Sequence, residues 1–263
     1  NMKTNPLGSD ATEPNPPRTP LCSRLLNVFA APGEVFEEVK AGKPSVVNWL
    51  VPVLLLAVAG MFSALVIFSQ PEIVQTIHEQ QQRAFDKQVA AGKMTQAQVD
   101  QAATMAEKFS GPTMMKVYGC MGATVGSFLS LFWWAFLLWL IARWFLKVPL
   151  DYMKVLEIAG LAAMIAVLAA VVKSLLVVVT GNLYAAPGLV LLVKHFDPRN
   201  PVHNLLALFN VMTFWLLAVR SIGLAKLTGA KVVKTAVAVF GIWIVMTGLT
   251  VGFSLAMQAV FAK

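Results

Sequence analysis

Charge is what this sequence has least of. Only 13% of its 263 residues are Asp, Glu, Lys or Arg, against 57% hydrophobic residues, and the mean hydropathy is +0.69. A chain this poor in charge cannot clothe a soluble globular surface, so it reads as a polytopic membrane protein. Cysteine is nearly absent too. Cys22 and Cys120 fall in a cytoplasmic segment and in a span, where they cannot easily meet, so no structural disulfide is expected. The sequence also lacks HExxH, GxSxG, P-loop and CxxC patterns and any paired intramembrane aspartates. Hydrolase, protease and ATPase chemistries therefore lack their necessary groups, no catalytic or cofactor-binding residue is assigned, and a non-enzymatic role is expected.

What is abundant is apolar run and basic turn. The run Leu205–Leu224 is followed by Lys226, Lys231 and Lys234 and then by a second apolar run reaching almost to the last residue. About 20 apolar residues cross the hydrocarbon core, and a Lys/Arg-rich turn between two such runs marks the cytoplasmic side. With that hairpin as reference, more than half of the 21 Lys and Arg residues lie on segments assigned to the cytoplasm. The net charge of +8 is thus a topology signal directed at anionic lipid headgroups, and nucleic acid is not an expected partner.

In chain order, residues 1–20 are polar and carry five prolines, a composition expected to stay disordered. No apolar stretch precedes residue 46, so no cleavable signal peptide is expected and insertion falls to the first span. Residues 21–45 place Leu21, Leu25, Val28, Phe29, Val35, Phe36 and Val39 at helical spacing opposite Arg24, Glu37, Glu38 and Lys40. Pro32 and Gly33 divide this amphipathic segment into two short helices, expected in the headgroup region or on the helix bundle. Spans are expected at about 46–69, 117–146, 155–180, 204–227 and 232–261. Between the first two, residues 71–111 form an extramembrane helical hairpin, with Gly92 ending one helix and a Thr95–Gln98 capping box starting the next. The fold class is an all-α membrane bundle of five spans. Its N-terminus is expected in the cytoplasm and its C-terminus outside, in a bacterial inner membrane.

The arrangement resembles the Yip1 domain family. The likeness rests on Pro32, Glu34, Val35 and Phe36 in the lead-in, on LEIAGLAAMIAVLAAVV in the third span, and on ALFNVMTFWLLAVRSIGLAKLTGAKVVKTAVAV before a final glycine-bearing span. It runs from about Leu21 to the end and is most specific from Pro201 to Val239. The resemblance implies a five-span helical membrane protein. Eukaryotic members are linked to vesicle traffic and Rab-type GTPases, and the prokaryotic branch is largely uncharacterised. The DLYGP-type motif of eukaryotic members is missing, and NLYAAPG at Asn182–Gly188 is similar to it only superficially, so GTPase binding is not carried over.

Several residues stand out against the apolar background. Lys173 lies about two turns from the outer end of the third span, where a charge costs ~2.5 to 3.5 kcal/mol on insertion scales. It either contacts a substrate anion or gate in a cavity, or snorkels to the outer headgroups or caps the C-terminal carbonyls of a neighbouring helix. Arg143 and Arg220 are expected as snorkelling anchors. Glu157, near Asp151 and Lys154, is expected to pair with Arg143 or Arg220 and tie helices together. Asn210 is expected to hydrogen-bond between helices, and the pairs Gly122/Gly126 and Gly248/Gly252 to let another helix approach. His195, Asp197 and His203 lie close together in an outer loop, too scattered for a metal to be assigned. The expectation is a membrane-organising or partner-binding protein using the N-terminal segment and the hairpin, with a protein partner or a second copy of itself. The alternative is a transporter or channel with a path near Lys173.

Overall fold

A computed structural model describes residues 19–193, 196–197 and 200–262, without the side chains of 106–110, 254–256 and 258–262. The expected disordered tail therefore lies, up to residue 18, outside the described residues, as does His195. The described residues form ten α-helices, and five helical segments are long and apolar enough to cross a membrane.

Two short helices come first, α1 (Leu21–Ala30) and α2 (Pro32–Ala41), divided where Pro32 opens the second. The first span is α3 (Val47–Ile67). The hairpin is α4 (Pro71–Ala90) and α5 (Gln96–Ser110), and Thr95 and Gln98 close the expected capping box reciprocally. The second span is α6 (Pro112–Leu140), which runs on through a π-helical turn at Ile141–Phe145. At ~1.5 Å per residue these 34 residues reach roughly 50 Å, so both ends project beyond a ~30 Å hydrocarbon core. The third span, α7 (Tyr152–Thr180), is capped by the Asp151 carboxylate and stops at Gly181, whose φ of 63° suits a residue without Cβ.

The fourth span differs from expectation. Instead of one helix over 204–227 there is α8 (Pro201–Leu208), a break at Phe209 and Asn210, and then α9 (Val211–Thr228). The break is held by pairing with the preceding loop: Gly188 bridges Asn210, and Val211 N–H donates to the Pro187 carbonyl at 3.0 Å. Asn210 is accordingly the N-cap of α9, its Oδ1 accepting from Met212 N–H at 2.9 Å. The expected interhelical role is replaced by a local one, because a short Asn side chain competes well for the free N–H groups of a helix start. The fifth span is α10 (Val232–Ala262).

The spans α3, α6 and α7 pack on one another, α9 packs on α7, and α10 lies outermost on α9. Helices in lipid approach closely only where side chains are small. At the α3–α6 crossing, Gly60 faces Ala123 and Gly119 faces Ala64, so that an added Cβ would come within 2.9 and 2.8 Å of the opposing methyl. At the α3–α7 crossing, a Cβ on Gly160 would lie 2.3 Å from the Trp49 Cα. Pro52 contributes here, since it has no N–H to donate to the Asn48 carbonyl one turn back, the carbonyl beside which Gly160 sits. The expected glycine pairs take no part in these crossings. Among the described residues, a Cβ on Gly122, Gly126, Gly248 or Gly252 would meet nothing within 4 Å.

Candidate functional site

The end of the bundle where α1, α2, the π-turn and the starts of α3, α7 and α10 meet carries Arg24, Arg143, Lys147, Lys154, Lys226, Lys231 and Lys234. Across it lies the α1–α2 pair. Leu25, Val28, Val35, Phe36 and Val39 are buried against α7 and α9 within the main core. Phe36 fits where Gly223 of α9 has no side chain, and Phe29 meets Trp215 edge-on at 5.9 Å between ring centroids. Burying each such side chain contributes about 1.5–3 kcal/mol. Of the two expected placements, headgroup region or bundle, the bundle is the one observed.

Beneath this cap runs a buried polar chain. Arg24 Nη1 donates to Asn48 Oδ1 at 2.6 Å, and Asn48 Nδ2 donates to Glu157 Oε2 at 2.5 Å. Lys154 Nζ lies 3.6 Å from Glu157 Oε1 and also donates to the carbonyls of Val39 and Gly42, both at 2.5 Å. Glu157 is fully buried, at 0% exposure. Four elements, α1, the end of α2, α3 and α7, are thus joined through one carboxylate. A buried carboxylate survives only when paired and hydrogen-bonded; here Oε2 accepts the hydrogen bond, while Oε1 has the Lys154 ion pair and no hydrogen bond among the described residues. The expected pairing with Arg143 or Arg220 is corrected. Glu157 projects toward α1 and α3, while the two arginines pack on rings of α6.

Those arginines differ from each other. Arg143 is exposed with its guanidinium 5.5 Å from the Trp139 centroid, in keeping with an interfacial anchor. Arg220 is 4% exposed and lies 4.2 Å over the Trp134 ring, so it is a buried cation and not the expected snorkelling one. Its Nε has no acceptor among the described residues. Cation–π attraction of about 2 kcal/mol at a desolvated site offsets only part of the cost of a charge at that depth.

A second strap is on the surface: Lys226 Nζ of α9 donates to Glu37 Oε1 of α2. That hydrogen bond, and then the ammonium charge, hold the Glu37 carboxyl below its ordinary value of 4.5. The sign follows directly. A carboxyl more acidic in the folded state adds stability that is complete above its unfolded value and is lost as pH falls through its lowered folded value. Proteolytic release of α1–α2 is expected to rise only once pH drops below the ordinary carboxyl range. Glu37→Gln is expected to reduce that pH response in a limited-proteolysis series, and an unchanged response would exclude the strap as a contributor to it.

At the opposite end, α4 stands between two open clefts. One, of about 640 Å³, lies between α4 and the neighbouring ends of α3 and α6, among Phe68, Val74, His78, Gln82, Pro112 and Lys116. The other, of about 410 Å³, lies between α4 and residues 180–184, with Thr76, Gln80, Arg83, Tyr184 and Phe196 on its walls. Glu79 borders both and is held by Gln75 at 3.1 Å and Arg83 at 3.6 Å. Ile73 anchors the base of α4, buried with Ile67, Val177 and Ala185.

Lys173 is exposed on the outside of α7, lines neither cleft and makes no ion pair among the described residues. Inside the bundle near its level, Ser174 and Ser63 bond to each other at 2.6 Å. In the outer loop, Asp197 N–H donates to His203 Nδ1 at 3.0 Å, which occupies one of the nitrogens a metal would need. Among the described residues no group of three or more His, Cys, Asp or Glu side chains is placed to hold a metal. Cys22 and Cys120 are both free.

Arg24 and Asn48 were not among the sequence candidates. Their signal is faint: an Asn in the first turn of an apolar span, and an Arg whose i+1 and i+4 neighbours are core residues. The packing glycines had a better one, since Gly60/Ala64 and Gly119/Ala123 both show small residues four apart.

The family model of the Yip1 domain matches residues 26–253. No curated protein and no solved structure gives a significant match.

Proposed function

The chain belongs to the Yip1 domain family, and on that premise we propose that it is a non-enzymatic membrane-organising or partner-binding protein. Its recognition surfaces are the hairpin α4–α5 and the outward polar face of the α1–α2 cap. The observation that supports this reading is the destination of the polar groups. Arg24, Asn48, Lys154 and Glu157 tie helices together under the cap, and Ser63 with Ser174 ties α3 to α7. Side chains engaged in this way do not line a hydrated path. The two open clefts border the hairpin, and a ~640 Å³ cleft is within the range of a site that receives part of a ligand or peptide. The apolar face of α1–α2 is taken by the bundle, so a partner there meets Glu34, Glu38, Lys40 and Lys43. By the positive-inside bias the basic end faces the cytoplasm of a bacterial inner membrane, and the hairpin and C-terminus face outside.

Photo-crosslinking side chains placed at Gln80 and Gln82, one in each cleft, test the reading in intact membranes. Discrete protein adducts are expected at these sites and not at the lipid-facing Leu129. Adducts to lipid alone at Gln80 and Gln82, as at Leu129, or solute flux in proteoliposomes that depends on the protein, would overturn it.

A further inference from the structure

The start of α9 lies deeper in the bundle than the end of α7. Gly223 of α9 sits against Ile158 of α7, which sets the two helices at one level there. From that level α9 has only twelve residues left to its start at Val211, roughly 18 Å, whereas α7 has nineteen to Val177, roughly 28 Å. Val177 packs with Ile67, Ile73 and Ala185, at the hairpin end of the spans. The neighbouring helix gives the same depth. Phe214, one turn into α9, meets Phe240 of α10 at 6.3 Å and Trp243 at 5.7 Å between ring centroids. Trp243 is mid-way along the apolar span Val232–Phe253, with roughly 15 Å of it still to come. By either measure Val211, and with it the bridge of Gly188 to Asn210, lies roughly 10 Å inside the spans.

Irregular backbone at that depth has to satisfy its own polar groups, because hydrocarbon offers no partners. Leu189 N–H donates to the Phe209 carbonyl at 3.2 Å and Val211 N–H to the Pro187 carbonyl at 3.0 Å, which closes the bridge from both sides. Leu191 N–H donates to the Gly188 carbonyl, Phe209 N–H to the Leu206 carbonyl and Met212 N–H to Asn210 Oδ1. Val190 is buried and anchors the single 3-10 turn Leu189–Leu192. The side chains left exposed in residues 187–192 and 205–211 are all apolar: Leu189, Leu191, Leu192, Leu205, Phe209 and Val211, with Leu192 at 77%.

We propose that these two paired stretches are a re-entrant element whose outer surface packs against lipid acyl chains, in the leaflet on the hairpin side. Closed backbone hydrogen bonds beneath an apolar exterior suit hydrocarbon. A water-filled cavity at this depth calls for polar lining groups, and Asn210 Oδ1 is already spent on the α9 cap. The element takes the place that the upper turns of a full-length fourth span would fill, so lipid beside α9 and α10 meets a loop and not a helix. The assignment rests on the depth of the break and does not depend on a partner at the hairpin.

Nitroxide scanning in proteoliposomes tests this. Leu189→Cys and Val211→Cys, each in a chain lacking Cys22 and Cys120, carry the label at exposed positions, where it displaces no buried side chain. Val245→Cys, exposed on α10 at the same level, reports lipid, and Gln88→Cys, exposed on α4, reports water. Labels at Leu189 and Val211 are expected to match Val245, with high collision rates for oxygen and low ones for a water-soluble nickel chelate. Nickel access as high as at Gln88 would overturn the assignment in favour of a hydrated cavity. Shielding from both reagents would overturn it in favour of a covering protein surface.

Discussion

Glu157→Leu is expected to destabilise the protein by about 3–5 kcal/mol, the cost of breaking a buried pair by removing one partner. The substitution leaves the Lys154 ammonium without its carboxylate and Asn48 Nδ2 without its acceptor, while Arg24 still holds the other end of the amide. At ~2–4 °C per kcal/mol for a chain of this size, the thermal midpoint in detergent falls by roughly 6–20 °C. Trypsin access at Lys40, in the last turn of α2, rises with it as the cap detaches. Glu157→Gln keeps an oxygen for Asn48 and is expected to lose less. Glu157→Leu/Lys154→Met removes both charges together and is expected to recover part of the loss, because an apolar replacement of a whole buried pair is often close to neutral. If the single leucine variant melts with the wild type, the carboxylate does not hold the cap.

Gly160→Ala is the second large effect. The new methyl carbon would lie 2.3 Å from the Trp49 Cα and 2.5 Å from its Cβ, and backbone cannot swing aside as a flexible side chain can. The α3–α7 crossing has to open, with every neighbour along it losing contact. Overpacking costs ~1–3 kcal/mol where side chains can adjust, and this site is expected at or above the upper end of that range. Gly122→Ala and Gly248→Ala place their methyls in open space and are expected to change stability by less than ~0.5 kcal/mol. Thermal melts of the three variants side by side check the contrast. Equal losses at all three positions would contradict the assignment of the close approach to Gly160.

The comparison of these glycines marks where sequence reasoning stops. Span number and hairpin were legible because they depend on local quantities: run length for the spans, and the Thr95–Gln98 spacing for the start of α5. Gly122/Gly126 and Gly119/Ala123 are equally good small-residue pairs on α6, three residues out of phase, and only the direction in which α6 faces α3 separates them. The same is true of Glu157. Its partner Asn48 is 109 residues away, whereas Arg143 and Arg220 drew attention by their charge. Arg220 reads as a surface anchor from its depth alone, and it becomes a buried group because Trp134 of another helix covers it. At Asn210 a capping residue interrupts an apolar run, and the run length concealed the break.

The most direct test of the docked cap is cross-linking between α2 and α9 in native membranes. In a background lacking Cys22 and Cys120, Glu37→Cys/Lys226→Cys replaces the surface strap with two thiols at the same contact. A short thiol-reactive cross-linker is expected to join them rapidly and nearly completely, and Glu157→Leu is expected to slow the reaction. Failure to cross-link, with both thiols accessible to reagent, would contradict the docked cap and place α1–α2 on the membrane surface instead.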